Sequence, residues 1–178
     1  HRYSYRGLGR RARQMANALK AHGIKPGDRV ATLAWNGYRH MELYYAVSGS
    51  GAVLHTINPR LHADQILWML EHSGARVLFF DLTFMPLIEQ IAARATQIEA
   101  FVAMCDRTSL PRVPLSKPLV SHEGLIAAHD DDYAWPRLDE NTAATLCYTS
   151  GTTGDPKGVL YSHRSTVLHS FAAAQPDA

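Results

Sequence analysis

Four short apolar runs begin near residues 30, 52, 76 and 99, each pair separated by one helix-like segment, and this rhythm limits the available folds more than any other feature of the chain. The runs cover 30–35, 52–57, 76–81 and 99–104. Near-continuous apolar strands fit a sheet covered on both faces, and parallel neighbours need crossovers long enough to hold a helix. Right-handed strand–helix–strand units supply such crossovers. The expected architecture is α/β: a layered, mostly parallel sheet flanked by helices.

The intervening segments carry helical spacing. Leu8, Ala12, Met15, Ala16 and Leu19 line one face of a first helix, with Ser4 as N-cap and Gly23 as the stop. Lys25-Pro26-Gly27-Asp28 then makes a turn. Met41, Tyr44, Tyr45 and Ser48 share a face of a second helix; Ala63, Ile66, Leu67 and Leu70 mark a third, ended by Ser73-Gly74. Residues 86–95 read as a fourth, with Leu87, Ile88 and Ile91 apolar. The aromatic residues Tyr44, Tyr45, Trp68, Phe79 and Phe80 fit core positions better than a ligand platform. The βα repeats thus occupy 1–105, and an irregular connection with Pro111, Pro114 and Pro118 and a short helix over 121–128 occupies 106–142. Strand, loop, strand and helix fill 143–178.

Composition excludes several classes. Hydrophobic residues make up 46% and charged residues 19% of 178, ordinary values for a globular domain. A net charge of +2 without Lys/Arg runs does not suit nucleic acid. No stretch approaches the ~20 apolar residues of a membrane span, and no signal peptide precedes the first helix. Cys105 and Cys147 lie far apart and read as reduced thiols. A soluble, cytoplasmic protein is expected. The first residue is His1 and the chain stops just past a helical stretch, so a fragment is expected.

Residues 143–148 read as a further strand, which runs into Thr149-Ser150-Gly151-Thr152-Thr153-Gly154-Asp155-Pro156-Lys157-Gly158, and a strand follows at 159–161. Polyphosphates need such residues: glycines admit backbone N–H groups to anionic oxygens, hydroxyls donate hydrogen bonds or face a cation, and a lysine adds mobile positive charge. The spacing is not that of a Walker A loop, because Gly151 and Gly154 are too close and Lys157-Gly158 leads into a strand, not a helix. A polar hairpin loop is the bland alternative.

Other patterns carry less. Gly7-Leu-Gly9-Arg-Arg-Ala12 spells a dinucleotide fingerprint but has no room for a strand ahead of it. The ten histidines form no metal-binding spacing and read as surface or packing residues. His129-Asp130-Asp131-Asp132 reads as a solvated loop, and His163, just past the glycine-rich loop, as structural more than substrate-facing.

The segment from Tyr148 to Gly158 resembles the phosphate-loop signature of the adenylate-forming superfamily, which includes acyl-CoA synthetases, amino-acid adenylation domains and luciferases. Ser4-Tyr5, the stretch from Gly23 to Val30, Gly51-Ala-Val53, Asn58-Pro-Arg60 and the stretch from Asp139 to Ala144 resemble its other landmarks. The stretches from Ile57 to Leu61 and from Tyr161 to Arg164 look most like medium- and long-chain fatty acid–CoA ligases.

The resemblance implies activation of a carboxylic acid by ATP to acyl-AMP, then transfer to CoA. It implies that Thr149, Ser150, Gly151, Thr152, Thr153, Gly154 and Lys157 hold the β- and γ-phosphates, with Lys157 catalytic and Thr149 facing phosphate or Mg²⁺. The loop is expected to be poorly ordered without ATP. The adenine segment, the acidic Mg²⁺ ligand, the ribose-binding aspartate, the hinge and the C-terminal lysine of the family lie downstream, so these 178 residues are expected to be inactive alone. An aryl or short-chain acid–CoA ligase, a non-catalytic ATP-binding relative, and a unit serving only folding or oligomerisation are the alternatives. Some long-chain members pair through N-terminal regions, so a homodimer is among the outcomes the resemblance allows.

Overall fold

A computed structural model describes residues 3–149 and 155–175. Seven strands form one sheet: β1 (Arg29–Leu33), β2 (Val53–Thr56), β3 (Ala75–Phe80), β4 (Ala100–Ala103), β5 (Leu119–Ser121), β6 (Ala143–Thr149) and β7 (Lys157–Ser162). Their order is β5-β4-β3-β1-β2-β6-β7. All neighbours pair in parallel except β6 and β7, which pair antiparallel at one edge.

Among the described residues there are six α-helices: α1 (Tyr5–Ala21), α2 (Tyr38–Gly49), α3 (Ala63–Ser73), α4 (Met85–Ile91) and α5 (His122–Ala127), which pack on the sheet, and α6 (His163–Ala173), which buries no residue. Period-2 alternation divides the strand side chains between two cores. Ala31, Leu33, Leu78 and Phe80 face α3 and α4 and pack with Ile66, Leu70, Ile88 and Ile91. Val30, Val77 and Phe79 face the other way, among Met15, Leu19, Leu43, Val47 and Ile126 of α1, α2 and α5.

Local signals start and stop the helices. Ser4 caps α1 by accepting from the Gly7 amide. Gly74 closes α3 in the left-handed region at φ 61°, where a Cβ would be strained. The glycines of the dinucleotide-like pattern, Gly7 and Gly9, lie inside the helix α1 and not on a strand-to-helix turn.

Three expectations are corrected. Within the stretch read as irregular, Leu119–Ser121 forms β5 and pairs with β4; three residues directly after Pro118 are too few to show a period. The fourth helix ends at Ile91, and residues 92–95 turn instead, the Arg94 and Ala95 amides both donating to the Ile91 carbonyl. In α2 the buried face carries His40, Glu42, Leu43, Ala46 and Val47, whereas Met41, Tyr44 and Tyr45 are exposed. Phe79 and Phe80 are core residues as expected, and Trp68 packs against the core edge.

Glu42 faces inward because it is fully partnered. It accepts from Arg11 Nε at 2.5 Å, from His122 Nε2 at 2.8 Å and from the Tyr3 hydroxyl. Burial pushes the Glu42 carboxyl up, but the bonds from His122, Arg11 and Tyr3 outweigh it and leave it lowered. His122, lowered by burial, donates as neutral imidazole. Arg11 also reaches Glu123, which pairs with Arg39 as well. Burial raises the Glu123 carboxyl, and both guanidinium groups overcome it and hold it down to about 2. The cluster joins α1, α2 and α5 on one face of the sheet. Glu42→Ala leaves Arg11 its pair with Glu123 but removes the acceptor of Arg11 Nε and of buried His122 Nε2, and is expected to destabilise the fold by about 1–3 kcal/mol, read as a lowered urea midpoint of the full-length protein; an unchanged midpoint contradicts the role.

Candidate phosphate-binding site

The site is built on the antiparallel edge. β6 extends the parallel sheet through the pairs Leu54↔Thr145, His55↔Leu146 and Thr56↔Cys147 with β2. Its carboxyl end therefore emerges on the same side of the sheet as those of β1 to β5. Open α/β sheets bind ligands at that side. β7 turns straight back along β6, in the register Cys147↔Val159, Tyr148↔Gly158 and Thr149↔Lys157.

Of the candidate loop residues, Thr149 and Lys157 are described, and they form the last pair of the stem. Both are exposed. Lys157 makes no ion pair with any described residue. Ser150, Gly151, Thr152, Thr153 and Gly154, and with them the expectation about loop order, lie outside the described residues. Among the described residues no group of three His, Cys, Asp or Glu could hold a metal ion.

Aromatic and imidazole rings support the stem from beneath. Tyr148, one residue before Thr149, has its hydroxyl oxygen 2.7 Å from His72 Nδ1 of α3. Trp68 stacks on His72 with centroids 4.6 Å apart. His55 of β2 lies 5.0 Å from the Tyr148 ring. It is fully buried, neither ring nitrogen has a hydrogen-bond partner among the described residues, and burial alone drives its pKa down to about 4. Sequence reasoning gave His55 no special place, because a histidine within an apolar run announces neither burial nor orphaned nitrogens.

His163 lies elsewhere. It opens α6 just after Ser162, which pairs with Ala143 at the far end of the strand pair from the loop. Its ring lines a groove with Tyr44, Tyr45 and Val167, away from the stem's open end. The acidic run is tied to α1: Arg13 pairs with Asp131, and Asn17 donates to Asp130. Cys105 and Cys147 are free thiols. No helix among the described residues is long and apolar enough to cross a membrane.

A mostly parallel sheet with helices on both faces and its strands' carboxyl ends on one side is the arrangement of the open α/β folds. The profile of the AMP-binding enzyme family matches residues 1–177, and the chain belongs to that family. A medium-chain-fatty-acid–CoA ligase from Ectopseudomonas oleovorans is 53% identical over 167 residues, covering 94% of this chain and 30% of the relative. A 3-methylmercaptopropionyl-CoA ligase from Ruegeria lacuscaerulensis is 54% identical over 168 residues, covering 93% and 31%. The crystal structure of the anthranilate CoA ligase AuaEII in complex with anthranoyl-AMP superposes with a TM-score of 0.84 at 27% identity, covering 93% of this chain and 31% of that one. The chain thus spans about 30% of the length of the curated relatives it matches.

Since His55 stays neutral down to about pH 4 when folded, the unfolded chain binds its proton first as pH falls. Its contribution is complete above the ordinary histidine value of about 6.5 and is lost progressively towards pH 4. His55→Leu should flatten that part of the stability–pH curve of the full-length protein by up to about 3 kcal/mol; a slope identical to wild type contradicts its buried, neutral state.

Proposed function

We propose that this chain is the triphosphate-binding part of an ATP-dependent acid–CoA ligase acting on a fatty acid. The carrying observation is the stem that ends on the pair Thr149↔Lys157, which brings a hydroxyl and an ammonium that pairs with no described residue to either side of residues 150–156. In the first half-reaction the substrate carboxylate attacks the α-phosphorus of ATP, acyl-AMP forms and pyrophosphate leaves. In the second, the CoA thiol takes the acyl group and AMP departs. Lys157 neutralises charge on the leaving pyrophosphate, and the loop's hydroxyl and amide groups fix the tail for in-line attack.

Thr149 would supply one oxygen to Mg²⁺, and the phosphates and further protein groups the rest. The single hydroxyl suits this, since Mg²⁺ bound with a nucleotide uses few protein ligands. Binding adenine, ribose and the acid falls to chain beyond these residues, so residues 1–178 do not turn over alone.

Similarity to the medium-chain ligase supports a fatty acid substrate. The equally similar 3-methylmercaptopropionyl-CoA ligase supports a second reading, a short-chain acid. ATP–pyrophosphate exchange by the full-length protein over a graded series of acids separates the two: an optimum at medium or long chains supports the first, and an optimum at short acids the second. In the same assay Lys157→Ala should lower exchange by roughly 10–10³-fold, the scale of losing one transition-state donor. An unchanged rate removes Lys157 from the chemistry.

A further inference from the structure

Tyr148 has no part in the chemistry above, yet it ties together three elements around the base of the loop. Its ring meets His55 of β2 at 5.0 Å and approaches Trp68 and His72 of α3 edge-on, at interplanar angles of 85° and 81°. Such edge contacts are favoured by the ring quadrupole. Its hydroxyl oxygen sits 2.7 Å from His72 Nδ1. On the opposite strand, a Cβ at Gly158 would come within 3.2 Å of Tyr148 Cζ and 3.3 Å of Cε1. Glycine at 158 therefore makes room for the ring to lie across β7.

The stem needs such a brace. β7 is an edge strand that pairs only with β6, and it is exposed from Lys157 to Tyr161. The described ladder holds β7 to β6 but leaves the direction of the pair's open end to whatever packs beneath it. Tyr148 is the last side chain before Thr149 and packs against the α3 side of the sheet.

We propose that Tyr148 is a positioning residue for the phosphate loop: its ring, lodged over Gly158 and tied to His72, braces both stem strands against α3 and so sets where Thr149 and Lys157 meet the triphosphate. Tightening of MgATP binding is the consequence, without any contact between Tyr148 and substrate. The inference rests on the ligase reading for its assay, but the brace itself is a matter of nucleotide affinity.

The test uses the full-length protein and ATP–pyrophosphate exchange. Tyr148→Phe keeps the ring and removes the hydroxyl; His72→Phe keeps an aromatic face for Trp68 and removes Nδ1. Each should raise KM for MgATP about 3- to 10-fold, the size of one net hydrogen bond, with KM for the acid and the thermal midpoint unchanged. The double variant should be no worse than either single, because both remove the same bond. Unchanged KM for MgATP overturns the proposal, and so does a rise in both KM values together with a lowered midpoint, which marks a general structural role. A wild-type protein that exchanges pyrophosphate with no acid refutes the ligase reading instead. Calorimetric MgATP affinity then decides the brace: the same loss in both variants supports it, and equal affinity or absent binding overturns it.

Discussion

The pairing of β6 with β2 is the interaction on which the site depends. Three consecutive parallel pairs attach β6 to a sheet already covered by α3 and α4 on one face and by α1 and α2 on the other. That attachment puts the carboxyl end of β6 on the same side of the sheet as those of β1 to β5, and the antiparallel pairing of β7 sets Thr149 and Lys157 opposite each other. On the proposed reading, a segment rich in glycine and threonine would have many conformations to lose on gripping a polyphosphate. Anchoring both of its ends lowers that loss.

The other half of the structure holds the sheet by different means. On the α1–α2–α5 face, a carboxylate with no solvent exposure sits among an arginine, a histidine and a tyrosine. Two unpaired charges there would be costly, and the geometry leaves neither unpaired. Because Arg11, Glu42 and Glu123 come from three helices, the cluster fixes how those helices sit against one another on this face of the sheet. Apolar contact alone specifies such seating less sharply, since it is non-directional.

Much of this was legible in the residues. The strands β1 to β4 and the helices between them follow from apolar runs separated by helical periods, whereas their order in the sheet does not, and Ser4 and Gly74 mark ends that the backbone obeys. The two strands flanking the polar segment were legible, and Thr149 and Lys157 form their last pair; the phosphate reading itself, which follows from residue chemistry, stays a proposal. What escaped has physical causes. β5 is too short to carry a period and is held only by β4. The face of α2 was misjudged because aromatic residues outweigh a glutamate on any hydropathy argument, yet Glu42 is buried by partners 31 and 80 residues away in sequence. His55 and His72 looked like two of many histidines, and only the fold brings them to Tyr148.

A crystal structure of the full-length protein with MgATP tests the central claim most directly. The account predicts the β- and γ-phosphates lying within hydrogen-bonding distance of the turn between β6 and β7, with the Lys157 ammonium against them. Nucleotide seated at another edge of the sheet, with that turn untouched, would contradict it.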